Sequence, residues 1–443
     1  MIRLLTTVLI AVLLVQGASN TKIFPYPYKV DDFANGLRLV TVPTEFPNVV
    51  ALYIVVQTGS RNEVEPGKTG FAHFFEHMMF RGTKEFPPEK YQAVLSATGA
   101  ASNAFTAPDL TAYHKTFSKP DLEIILRMEA DRFQNLDYSP EVFRTEALAV
   151  LGEYNKNAAD PLRRIRFEVL NDEAFSRHPY QHPVMGFLKD IQDMPNQLAY
   201  SKEFFQRYYR PEYTTVLVVG DVEPGATRRL VEKYWGAWKR GSYQSAIPAE
   251  PPLDGPKAAR IDWPTPTLPI VTVAFRGPAY DDRSKDHAAL GLITTIAFSG
   301  NSALYRELVL KGQKADALSA FYPNRMDPYL FQVIARIKKV EDVDGVRDQI
   351  LSTMANLKDA LVDKKELERV KQRMRNELAL SMDNSEAIAR TLAEFIALRR
   401  TPETINTLYE TYSTLTPEDL RETARKYFQE KNRVVVTLVG GGK

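Results

Sequence analysis

The stretch GFAHFFEHMMFRGT, Gly70 to Thr83, sets His73 and His77 four residues apart, with Glu76 directly before the second. The chain holds only six histidines in 443 residues, so two of them on one turn call for a reason. On an α-helix, positions i and i+4 project from one face and i+3 lies beside them. Both imidazoles can then reach one metal ion about 2.0–2.1 Å away. Glu76, at the edge of that face, can hold a metal-bound water and take its proton. With no cysteine in the chain, any metal site must be built from His, Asp or Glu. The alternative is a solvated polar stripe. Against it, the rest of the helix is very apolar, so charged groups there are buried and need partners.

Two histidines do not hold zinc firmly, and a third ligand must come from elsewhere. In RTEALAVLGEYNKN, Glu146 and Glu153 stand seven apart, two helical turns, and share a face. One can ligate the metal while the other supports a histidine or the charge of the site. Three protein ligands plus water is the open coordination of hydrolytic zinc sites. The other four histidines are read as non-catalytic. His114 follows a strand-like run and His287 a polar turn. His178 and His182 are four apart, but Pro179 and Pro183 deny them a common helix face.

These residues need elements to position them. LRLVTV (37–42), VVALYIVVQTG (49–59), AYHKTF (112–117) and TTVLVVG (214–220) read as strands. Helical patterns cover 69–80, the stretch after Pro87 and Pro88 up to Gly99, and 120–157. Proline concentrates between Gly241 and Pro269, marking a linker between two halves of similar length. The halves resemble each other. MPNQLAYSKEFFQRYYRPEYTTVLVVG and LTPEDLRETARKYFQEKNRVVVTLVG share a helix, an aromatic pair, a valine-rich strand and a closing glycine. Matching MMFRGT with IAFSGN sets Phe80 opposite Phe298 and Gly82 opposite Gly300. His73, Glu76 and His77 then face Gly291, Thr294 and Thr295, so the second half keeps the scaffold and lacks the chemistry.

His73-Phe-Phe-Glu76-His77 is the inverted zinc motif of the inverzincins. With VVQTGSRNE before it, GAASNAFTAPDLTAYH after it and the Glu146/Glu153 pair, nearly the whole mature chain resembles the pitrilysin family of zinc metallopeptidases. It is most similar to the shorter, processing-peptidase-like bacterial branch. That resemblance implies an α+β fold: two homologous domains, each a mainly antiparallel sheet covered by helices, together half of a clamshell. It implies zinc (Zn2+) on His73, His77 and Glu153, with Glu76 as general base on zinc-bound water and Glu146 as supporting acid. The family usually spaces its third ligand one residue further on, where this chain has Tyr154. Glu153 therefore takes the role, with Glu146 as the fallback. Asn103, Ala104, Phe105 and Thr106 resemble the family's edge strand, which binds extended peptide by strand addition. The family also uses an arginine and a tyrosine from a second domain or subunit. Here Val309 stands at the arginine position, and Asp316 or Ala315 at the tyrosine position. The resemblance thus implies the zinc-bearing subunit of a heterodimer, with a homodimer as the alternative. The rival function is a non-catalytic scaffold or a peptide-binding subunit of the same fold.

Bulk properties frame this reading. A chain of this length exceeds one compact core. We divide it into a signal peptide (1–19), a zinc-bearing domain (20–245), a linker (246–265) and a homologous domain without the motif (266–443). A net charge of +2 offers no general argument for nucleic acid. Arg3, the apolar run from Leu4 to Val15 and the small residues Gly17, Ala18 and Ser19 read as a secretory signal. An uncleaved anchor is the alternative, and no membrane span is expected in the mature form. Export without cysteines fits a bacterial periplasm.

Overall fold

The computed structural model describes residues 22–441. The expected signal peptide lies outside them. The first sheet is built from β1 (Lys29–Asp32), β2 (Arg38–Pro43), β3 (Val49–Val56), β4 (Ala101–Ala107), β5 (Leu110–Ser118) and β6 (Thr214–Gly220). Its order is β1-β2-β6-β3-β5-β4. The second is built from β7 (Lys257–Trp263), β8 (Ile270–Arg276), β9 (Ala315–Phe321), β10 (Leu330–Ile337) and β11 (Arg433–Gly440), in the order β7-β11-β8-β10-β9. Apart from β1 the two orders correspond strand for strand. Each sheet is antiparallel except for one parallel pair, β2 with β6 and β7 with β11. The internal repeat expected from the sequence is therefore real at the level of topology. The proline-rich stretch 246–265 crosses between the halves and carries β7.

Four helices of the first half bear on the motif: α1 (Phe71–Met78), α2 (Pro88–Thr98), α3 (Leu122–Asn135) and α4 (Pro140–Asn157). With others, they cover one face of the first sheet. Leu52, Ile54 and Val56 of β3 pack there with Phe71, Phe74, Phe133 and Phe143.

Alternate residues of the same strands face the other way. Ala51, Tyr53 and Val55 meet Ile388, Leu392 and Ile396, which belong to a helix of the second half, Ser385–Arg399. The second sheet returns the arrangement. Val434, Val436 and Leu438 of β11 pack against Ile165, Leu170 and Phe175 of the first half. Each half thus lends a helical segment to cover its partner's sheet. This explains why β3 and β6 read as continuous apolar runs: strands buried on both faces have no polar side to alternate. Polar ties reinforce the exchange. The Arg400 guanidinium donates to the carbonyls of Gly36, Glu212 and Thr214 at 2.9–3.0 Å, and Gln57 donates to Ala397 O at 2.6 Å.

By length and composition alone, Lys285–Lys311 could cross a membrane. Its Leu290, Leu292 and Ile293 instead form part of the second core.

Candidate metal centre

The motif helix divides its faces cleanly. Phe71, Phe74, Phe75 and Met78 follow the i, i+3, i+4, i+7 spacing of a core stripe, and all four are fully buried. Phe75 stacks on Phe204 (centroids 5.3 Å apart), and Phe74 meets Phe143 edge-on at 5.2 Å. His73, Glu76 and His77 fall on the remaining face. α4 is built in the same way: Phe143, Ala147 and Val150 enter the core, and Glu146 and Glu153 flank that stripe. Because Phe74 packs on Phe143, the two polar faces meet.

Nε2 of His73 and Nε2 of His77 lie 3.6 and 3.4 Å from Oε2 of Glu153. Among the described residues these three form the one group of His, Asp or Glu donors clustered for a metal, all within 4.8 Å of one another. Ligands about 2.0–2.1 Å from a tetrahedral zinc stand about 3.3–3.4 Å apart. The donor set therefore fits zinc in its chemistry and in the spacing of Glu153 from each histidine. Burial, with His77 nearby, lowers the His73 pKa to about 4, which leaves the imidazole in the neutral form that ligates metals.

Glu146 is buried behind His77, its Oε2 3.8 Å from Nδ1 of that ring and its Oε1 2.5 Å from Arg81 Nη2. Glu76 accepts a 2.6 Å hydrogen bond from the Thr106 hydroxyl on β4. Burial raises the Glu76 pKa, and that hydrogen bond opposes the rise. β4 is the outer strand of its sheet, so Asn103 to Thr106 lie on an edge, and Thr106 brings that edge against Glu76.

Three positioning groups escaped the sequence reading. Glu63 is buried and accepts from the backbone N–H of Gly70 and Ala72, both at 2.7 Å. It caps a helix whose own N-cap, Gly70, has no side chain to do so. Burial pushes its carboxyl up to about 8, against the pull of those N–H groups. The only signal was an acid in the loop before an uncapped apolar helix. Arg81 ends the 3-10 turn that follows α1 and reaches Glu146 behind His77. The third group is a glycine pair: Gly70 (φ +93°) and Gly186 (φ +88°) lie so close that a Cβ on Gly186 would be 2.7 Å from Gly70 N. The 183–187 turn is thereby brought against the start of α1.

The counterpart in the second half is filled in. A Cβ at Gly291 would lie 2.7 Å from the Tyr412 hydroxyl, so no histidine fits there, and Thr294 Oγ1 donates to the Gly291 carbonyl. Val309 packs against the second core, Ala315 is buried, and Asp316 pairs with Arg336 at 2.8 Å. The remaining histidines lie outside the donor cluster. His114 stacks on Tyr53, His178 lies 2.9 Å from Asp327, His182 is buried beside Glu63, and His287 bonds Asn324.

Comparison with known proteins agrees with this geometry. Residues 38–187 match the model for Insulinase (Peptidase family M16), and residues 198–374 match the Peptidase M16 inactive domain. The Zinc protease PqqE of Helicobacter pylori is 28% identical over 411 residues, 91% of each chain. A mitochondrial-processing peptidase subunit beta of Schizosaccharomyces pombe, named as probable, is 23% identical and covers 92% of this chain and 90% of its own. The crystal structure of a protease from Helicobacter pylori superposes with a TM-score of 0.86 at 26% identity, over 93% of this chain and 99% of that one. The first half of the periplasmic protease PqqL from Escherichia coli shares the fold, with a TM-score of 0.73 at 19% identity over 93% and 92% of the two chains. The chain belongs to the insulinase family, peptidase family M16, and carries the clustered His/Glu site of a zinc-dependent endopeptidase.

Proposed function

We propose that His73, His77 and Glu153 hold the catalytic zinc, that Glu76 is the general base, and that Glu146 orients His77. The observation that carries this is the convergence of three donor atoms within 4.8 Å of one another, both histidines at 3.4–3.6 Å from Glu153, with Glu76 at their edge. When bound, zinc supplies Lewis-acid polarisation of the scissile carbonyl. The chain's own residues do the rest. Glu76 takes the proton of the attacking water, and the Thr106 hydroxyl keeps that carboxylate aimed while it does so. Asn103 to Thr106 bind the substrate as an added strand through main-chain hydrogen bonds.

Metal analysis together with Glu76→Gln tests this reading. The variant is expected to retain zinc and to lose hydrolysis by about 10²–10⁴-fold. Zinc-loaded wild type that cleaves no peptide, alone or with a candidate partner, would favour the scaffold or binder reading instead.

The second half lacks both the arginine and the tyrosine that the resemblance calls for, and the mitochondrial relatives are named as subunits. Both support a homologous partner that supplies the pair. Full activity of this chain alone would end that proposal. The signal-like N-terminus and the fold shared with a periplasmic protease support export to the periplasm.

A further inference from the structure

Beside the donor cluster lies a cleft of about 310 Å³, walled by Phe105 and Thr106 of the edge strand, by Val184 and Met185, and by Arg163 and Phe167. The last two belong to a turn that leads from a short helix, Pro161–Arg163, into a π-helical segment, Arg164–Val169. That segment carries three arginines, and two of them are committed elsewhere. Arg164 is ion-paired with Glu168 four residues on. Arg166 is sandwiched between Phe167 and Phe321, its guanidinium carbon 4.9 and 4.2 Å from the two ring centres. Arg163 is different. It lines the cleft, is half-buried, and has no hydrogen bond or ion pair among the described residues. Its charge is felt at His73.

A guanidinium held beside a catalytic cluster and left without an acid invites a carboxylate, which it can bind in bidentate fashion. The charges of the cleft point the same way. Glu76 and Glu153 are the carboxylates lining it, and a divalent ion balances both. The charge of Arg163 is then left over.

We propose that Arg163 anchors a carboxylate of the bound peptide next to the scissile bond and so makes the enzyme prefer acidic over basic substrates. The carboxylate is either an Asp or Glu side chain or the peptide's own C-terminus. The apolar walls, Phe105, Phe167 and Met185, receive the aliphatic or aromatic part of the neighbouring residue. This rests on the peptidase reading of the same site, and the test separates the two.

The full chain is assayed with a peptide series identical except for Ala, Glu or Lys at one position near the cleaved bond, each with a free or an amidated C-terminus. We expect kcat/KM to favour Glu over Lys, or free acid over amide, by about tenfold. That ratio should fall to about one in Arg163→Gln and should invert toward Lys in Arg163→Glu. The arm that responds identifies which carboxylate is bound. Cleavage without charge preference, or a preference unchanged in both variants, overturns the proposal. If wild type cleaves nothing, alone or with a candidate partner, the peptidase reading fails, and fluorescence anisotropy of the same peptides on Glu76→Gln still decides. Acid-selective binding that disappears in the Glu76→Gln/Arg163→Gln double variant supports the anchor, and binding without selectivity overturns it.

Discussion

At the scale of single residues, the two glutamates of α4 make different contacts, and the proposed roles separate along them. Glu153 shares its Oε2 with both histidines, whereas Glu146 reaches only the far nitrogen of His77 and is tied back to Arg81. Removing a ligand should therefore differ from removing its support. Glu153→Gln is expected to leave the purified protein largely without zinc. Glu146→Gln should weaken zinc by about 10–100-fold while leaving the fold intact. Zinc titration against a chelator, with circular dichroism as control, checks both. If Glu146→Gln lost zinc as completely as Glu153→Gln, the assignment of ligand and support would have to be exchanged. The ligand cluster was legible in the sequence because helical spacing alone puts 73, 76 and 77 on one face and 146 and 153 on another. Glu63, Arg81 and Arg163 were not. Their roles depend on which segments meet in space, and an acid in a loop or an arginine on a turn has no signature of its own.

At the scale of elements, the loop before β10 is pinned to the first half by charge. Asp327 is ion-paired with Arg61 and lies 2.9 Å from His178 Nε2, while Tyr180 donates to the neighbouring Asp109. Burial by itself pushes the Asp327 carboxyl up, but the bonds from His178 and Arg61 outweigh it and bring the pKa down to about 2. Its unfolded value is near 3.9, so the unfolded chain takes up the proton first as pH falls. The stabilisation is therefore complete above about pH 4 and is lost as the pH falls toward 2. After solvent screening it is on the order of 1–2 kcal/mol. Asp327→Asn should be less stable than wild type by that amount at pH 7 in urea melts, and the gap should close near pH 2. A gap independent of pH would mean that packing, not charge, pins the loop. Strand positions were readable from β-branched runs such as VVALYIVV. The partner across the second face was not, because a run apolar on both sides says that a cover exists without saying which segment supplies it.

At the scale of the whole molecule, the exchanged covers make the halves interdependent. Expressed alone, residues 22–245 would expose Ala51, Tyr53, Val55, Leu217 and Val219, which the helix Ser385–Arg399 now covers. That fragment is expected to be insoluble or loosely packed, and co-expression with residues 246–443 should rescue it. Leu392→Ala in the full chain should cost about 2–5 kcal/mol and lower a single, shared melting transition. Two separate calorimetric transitions would show instead that the halves fold independently.

The same exchange bears on when the molecule can fold. The first sheet is complete once β6 has been made, yet the helix that closes its second face begins at Ser385, and the Gln57–Ala397 bond joins residues 340 positions apart. During synthesis the first half must wait for almost the entire chain before its last surface is covered. The export proposed above requires the polypeptide to remain open until it has crossed a membrane. A cover that arrives last holds back premature closure through the order of the chain itself.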